Sequence, residues 1–386
     1  MKNPFYDKSL AKRHKKSKII KYFSLFSLIF SLGFLIFFLT DIISKGLPAF
    51  KIAYVKIQIS YNEKSMQDSR FAVEKKYRRI ISRAYLRQIP KQIKQNPKLL
   101  NTQKTSWVLA NHQVDQYLKN HRYKLKPKDK QIVDELKKQG LIKFKFNSIF
   151  FTHGDSKIPE YAGISSAIFG SVLTLIVTMA FAFPLGVMTA IYLEEFAKEN
   201  KLTYFIEVNL NNLAAIPSML FGLLGLSVFI NLFSLPRSSP LVGGLTLALM
   251  SLPIIIVSSR ASIRAIPNSI RQAAYGLGLT KIQVAKDHIL PLAFPGILTG
   301  SIIGLAQAMG ETAPLIIIGM IAFVPSSPTS LLDAATIMPA QIFTWAGMPE
   351  GMYVEKTAAG ILVLLSILLC LNLLAIILRK KLQIKW

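Results

Sequence analysis

Cysteine is almost absent from this 386-residue chain. Cys370 is the one thiol, so no disulfide can form within the chain and no cysteine-based metal centre can be built. Acidic residues are scarce, 20 against 47 Lys and Arg, which leaves a formal charge of +27. That balance would suit nucleic acid, but no nucleic-acid-binding module accompanies it. No Gly-Lys pair occurs anywhere, and hence no Gly-x-x-x-x-Gly-Lys-Ser/Thr loop. The chain therefore lacks the usual cradle for nucleotide phosphates, and any ATP hydrolysis belongs to a partner.

What the chain has is long apolar runs. It is 51% hydrophobic with a mean hydropathy of +0.38. The apolar residues gather at about 22–43, 164–193, 206–234, 241–259, 292–322 and 356–379. Each is long enough to cross roughly 30 Å of hydrocarbon as helix. The first follows a basic stretch but is longer than a signal-peptide core, and no small-x-small cleavage site follows it, so it reads as a retained anchor. Six spans with both termini in the cytoplasm fit the Lys and Arg near the ends. The N-terminal 21 residues are basic, as are Arg379, Lys380, Lys381 and Lys385 after the last span. Arg260, Arg264, Arg271, Lys281 and Lys286 lie between spans four and five, whereas 323–355 has no Lys or Arg. The loop 194–205 fits least well, because Glu194, Glu195 and Glu199 offset Lys198 and Lys201.

This topology leaves 44–160 outside the membrane as a polar insert. The stretch 44–163 carries 26 Lys and Arg against 9 Asp and Glu. Val55, Ile57 and Ile59 alternate as in a strand, and 141–151 reads as another. The intervening 73–86, 105–118 and 128–138 read as helices. The expectation is a small α+β domain whose charge favours a solvated surface, an acidic partner or membrane lipid.

Function is carried by the stretch between spans four and five. Residues 269–275 predict a short helix that Gly276 and Gly278 break or cap. A second segment, 280–289, runs to Pro291, expected to open the next span at its first turn. Gln272-Ala273-Ala274, Gly278 and Leu290-Pro291 stand at the spacing of the Glu-Ala-Ala…Gly…Ile-x-Leu-Pro motif, and here the chain resembles the permease subunits of bacterial ABC importers. Two positions depart: Gln272 stands for the Glu and His288 for the Ile. Within that family the closest resemblance is to the A-type permease of phosphate importers. It rests on Ala215-Ile-Pro-Ser-Met-Leu-Phe-Gly-Leu-Leu-Gly225, Pro184-Leu-Gly-Val-Met-Thr-Ala-Ile-Tyr-Leu-Glu-Glu195, Ala308-Met-Gly-Glu-Thr-Ala-Pro-Leu315 and Met338-Pro-Ala-Gln-Ile-Phe-Thr-Trp-Ala346. It covers about residues 160–386.

The resemblance implies an all-α membrane fold of the type I importer kind, with the permease core over 161–386 and the coupling loop over 260–291. It implies a homologous C-type permease as partner, two ATPase subunits that use ATP and Mg, and a periplasmic phosphate-binding protein. The chain itself would bind no cofactor or metal and catalyse no reaction. Gln307, Glu311, Thr312, Ser218 and Arg260 are the pathway candidates. Glu311 stands out, because a carboxylate within a span is costly and points to function. The family usually places an Arg four residues before it; here that position is Gln307, and Arg260 or Arg264 is an alternative partner. Two other readings stay open: a permease for molybdate or sulfate, and a membrane sensor or scaffold whose working part is the basic insert.

Overall fold

A computed structural model of the chain describes residues 8–120 and 123–382. The basic stretches therefore fall partly outside the described residues, Lys2 at one end and Lys385 at the other. The apolar run 22–43 has no proline, and helix α1 (Lys8–Gly46) runs through it and back into the basic stretch. It stops where Gly46 and Pro48 begin a 3₁₀ turn, Leu47–Phe50.

The insert follows as a three-stranded antiparallel sheet with helices on one face. Its order is β2-β1-β3, with β1 (Lys51–Tyr61) central. Ala53, Val55, Ile57, Ile59 and Tyr61 all point to one buried side, the period-two pattern expected of a half-buried strand. They pack against Ile80, Ile89, Val114 and Val133. Along the chain come α2 (Glu63–Gln67), α3 (Arg83–Gln95), β2 (Thr102–Leu109), α4 (His112–Asn120), α5 (Pro127–Lys138), β3 (Ile142–Phe146) and α6 (Ser148–Thr152). The helix at 128–138 is present. The others need correction. Most of 73–86 is turn, and α3 starts only after Ser82, whose hydroxyl caps Ala84 N–H. The expected helix 105–118 divides into β2, paired with β1 along its whole length, and α4. Sheet pairing there outweighs helical periodicity. The strand expected to reach 151 ends at Phe146, because Asn147 caps α6 and donates its amide to Ala49 O at 2.9 Å.

The remaining chain is a bundle. It comprises α7 (Ser165–Ile191), α8 (Lys201–Leu213), α9 (Ser218–Gly225), α10 (Pro240–Arg264), α11 (Asn268–Gly276), α12 (Lys281–Gln283), α13 (Leu290–Gly310), α14 (Ala313–Ile317), α15 (Met338–Ala346) and α16 (Gly351–Leu382). A π turn, Tyr192–Phe196, prolongs α7; a second, Leu226–Leu232, prolongs α9. A third, Val284–Ile289, joins α12 to α13 in one rod. Among the described residues, five helices are long and apolar enough to cross a membrane. The expected third span, 206–234, is not one helix. α8 stops at Leu213, since a residue before proline disfavours helical backbone, and α9 restarts after Pro217. The run 292–322 is likewise interrupted, at Glu311-Thr312.

Small residues set the helix contacts. Along the α7–α10 seam a Cβ on Gly244 would lie 2.4 Å from the Val177 side chain and 2.8 Å from Thr174 O. Thr178 Oγ1 donates to Gly244 O across it at 3.2 Å. Of the Gly300–Gly304 pair, Gly300 is the tight one, against Ser258. Gly244→Ala is expected to destabilise by about 1–3 kcal/mol through overpacking, with Val177→Ala restoring part of the loss. Thermal midpoints of the two variants in detergent check this.

The insert is seated on the bundle through buried polar contacts. Trp345 Nε1 donates to Asp155 Oδ1 at 3.0 Å, and Tyr353 Oη to Ser156 O at 2.6 Å. Lys356, buried in the first turns of α16, donates to the carbonyls of Pro159 and Ala162. Lys119 of α4 lies 2.6 Å from Asp115 and 3.2 Å from Glu355. Burial pushes the Asp115 carboxyl above its usual range, and the Lys119 ammonium opposes this.

Candidate coupling loop and translocation face

The stretch after α10 builds a small knob. Pro267 precedes α11 and Ala274 is the buried residue of that helix, packed in a cluster with Ile263, Ile266 and Val284. The helix ends in a Schellman motif. Leu279 N–H bonds Ala274 O at 3.3 Å and Gly278 N–H bonds Tyr275 O at 2.9 Å. Gly278 takes φ +82°, the left-handed conformation that glycine adopts without steric cost. Thr280 and Gln283 then form a reciprocal capping box that starts the next rod.

The predicted helix and its glycine stop are present. Pro291 stands in the first turn of α13, as expected, and the π turn before it joins α13 to α12 in one rod that begins at Lys281. A proline clashes with the carbonyl four residues back, and the wider π turn accommodates that. Leu290 and His288 are half-buried there.

Gln272 and Ala273 are exposed, and beside them stand three apolar side chains that motif matching passed over. Leu277 is 81% exposed, Ile282 66% and Tyr275 41%. Their signal in the sequence is faint, since apolar residues in a polar loop look like ordinary packing. Among the described residues, all three stay exposed.

Charged groups hold the knob's base. Arg271 Nη2 donates to Glu195 Oε1 at 2.8 Å, while Nη1 donates to Ile266 O at 2.8 Å and Nη2 to Ile263 O at 3.0 Å. Arg260 donates to Glu194 and to Glu207 of α8, and Arg264 Nε to Glu194 Oε2 at 2.8 Å. Arg260 is thus engaged at the end of α10, and neither it nor Arg264 makes an ion pair with Glu311 among the described residues. Glu194 and Glu195, two of the three acids that spoiled the charge pattern of loop 194–205, were the sequence signal for this cluster.

The other candidates lie where two spans break. α9 opens at Ser218 and packs on α14, with Gly222 against the Pro314 backbone. Glu311 ends α13 with extended backbone, and its amide bonds Ala308 O at 3.3 Å. Its side chain is half-buried and has no ion pair among the described residues; Thr312 is half-buried beside it. Gln307 and Ile303, one turn apart on α13, are exposed. These polar groups sit on an open face, not in a closed channel of this chain.

A knob at the end of a bundle, beneath a face that one chain does not close, is the arrangement of a subunit. Residues 182–384 match the family described as binding-protein-dependent transport system inner membrane component, and the chain belongs to that family. It is a multi-pass, inner-membrane transport subunit. Residues 7–79 and 67–127 match a domain of unknown function, DUF3333. The probable ABC transporter permease protein YqgI of Bacillus subtilis is 30% identical over 241 residues, 58% of this chain and 81% of that protein. The phosphate transport system permease protein PstA of Yersinia pestis is 31% identical over 213 residues, 55% of this chain and 71% of that protein. Among solved structures, the inward-facing MetNI methionine ABC transporter is similar over 56% of this chain and 96% of that one. Its TM-score is 0.45 at 15% identity.

Proposed function

We propose that the chain is one of two permease subunits of an ATP-driven phosphate importer. Membership of the transport family and the likeness to PstA support the substrate. The single observation that carries the mechanism is the glycine-terminated helix α11 with its uncovered Tyr275, Leu277 and Ile282. Exposed apolar side chains rimmed by polar ones mark a protein contact. Here the contact is an ATPase subunit, two copies of which serve a pair of permeases. The ATPase supplies ATP and Mg chemistry; this chain supplies the loop 260–291 that receives its motion.

In this reading both termini and α11 face the cytoplasm, and residues 44–160 face the periplasm. A homologous C-type permease closes the open face that carries Ser218, Gln307, Glu311 and Thr312. A phosphate-binding protein delivers substrate from the periplasmic side. ATP binding and hydrolysis shift the pair between outward-open and inward-open populations. No bond of the substrate is broken, so recognition rests on hydroxyls, backbone N–H groups and a positive field.

The test is uptake into proteoliposomes holding both permeases, the ATPase and the binding protein. ATP-dependent accumulation of phosphate, with molybdate and sulfate at background, is the expected result. Preference for either of the other anions would reassign the substrate, and activity without the ATPase would overturn the whole reading.

A further inference from the structure

The cluster at the base of the knob joins four elements that the backbone leaves separate. α11 has nine residues, too short to hold its place by helix propensity alone, and Ala274 is its buried residue. Arg271 makes up the difference. Its guanidinium takes Glu195 from the end of α7, Ile263 O from the last turn of α10, and Ile266 O from the connection to α11. The planar fork suits this, since it serves several acceptors in fixed directions. A layer above, Glu194 bridges Arg260 and Arg264, and Glu207 brings α8 to the same arginine. The Arg271, Glu195, Arg260 and Glu194 side chains are each less than one-fifth exposed, where ion pairs are screened far less than at a free surface.

We infer that Arg271 and Glu195, with Arg260, Arg264, Glu194 and Glu207, are positioning residues that fasten α11 to the ends of α7, α8 and α10. The four ends then move as one rigid body. This deepens the proposed function and rests on its assignment of α11 to the ATPase contact. It also gives the motion a route. α8 is the first half of the interrupted span; beyond Pro217 its second half, α9, packs on α14 next to Glu311 and Thr312. A push on α11 thus reaches α8 through charge pairs and meets a built-in break before the polar face.

The test uses the full chain in nanodiscs, with Cys370→Ser and spin labels on cysteines placed at Ser269 in α11 and Tyr204 in α8, both exposed. The wild-type background is expected to give one narrow distance distribution. It stays unchanged when the assembled complex is trapped with ATP. Arg271→Met widens it, and Arg271→Lys, which keeps a donor and a charge, restores most of the narrowing. Glu195→Ala, made on the opposite partner, gives the same widening and carries the test if Arg271→Met does not fold. In the reconstituted complex Arg271→Met keeps ATP hydrolysis but loses about tenfold or more in substrate uptake, with Arg271→Lys intermediate. A wild-type distance that shifts on ATP trapping, or an Arg271→Met chain matching wild type in width and uptake, overturns the inference. If the widths behave as expected but wild type imports no phosphate, the functional reading fails and the rigid body stands.

Discussion

A chain carrying Ala273→Glu and Gly278→Glu is expected to reach the membrane in normal amount and to import no phosphate. Ala273 is exposed on α11, next to the uncovered side chains of Tyr275, Leu277 and Ile282. On the proposed reading, a carboxylate there enters the ATPase contact in place of a small methyl group. An unpaired charge buried at an interface costs about 3–5 kcal/mol, and each 1.4 kcal/mol is about tenfold in binding. The second substitution acts on the backbone. Gly278 holds φ +82°, and a side chain there adds roughly 1 kcal/mol of strain to the Schellman turn. Nothing else lies within 4 Å of the position, so the fold survives while the knob loosens. Uptake should fall by about two orders of magnitude or more. Leu277→Asp alone should reproduce most of the loss, because it puts a charge in place of the most exposed apolar side chain of the knob. Uptake in a strain lacking the gene, with immunoblotting of membranes, separates the outcomes. Normal uptake by the double variant would make the loop a linker and remove the coupling assignment.

The features legible in the sequence are those set by local pattern. β1 shows its two-residue alternation, and α11 shows its glycine stop at the position where positive φ occurs. The interrupted spans were half legible. Pro217 is plain to see, but whether a proline kinks a membrane helix or divides it depends on neighbours, and α14 packed on α9 decides that here. The division of 105–118 into β2 and α4 depends on pairing with β1, some 50 residues earlier, which no local window contains. The ion pairs of Arg260 were hidden for the same reason. Its partners Glu194 and Glu207 come from 66 and 53 residues away. Lys356 gave no warning either. It stands as the first residue of the apolar run 356–379, yet the insert folds over it.

That burial sets the second large effect. Lys356→Met should unfold the junction between insert and bundle, lowering stability by about 3–5 kcal/mol, as breaking a buried charged network from one side does. The ammonium satisfies the carbonyls of Pro159 and Ala162 at once, and methionine can satisfy neither. Asp115, Glu355 and Glu160 are buried in the same region, so loss of the cation also leaves carboxylates less compensated. At about 2–4 °C per kcal/mol, the thermal midpoint should fall by roughly 10 °C. Trypsin cleavage after Lys157, which is exposed in the segment that Lys356 holds in place, should become faster as that segment loosens. Lys98→Met, on the exposed surface of the insert, should change neither reading. A Lys356→Met chain as stable as wild type would mean that the apolar stack of Phe150, Trp345 and Tyr353 holds the insert by itself. The buried charge would then cost as much in desolvation as its hydrogen bonds return.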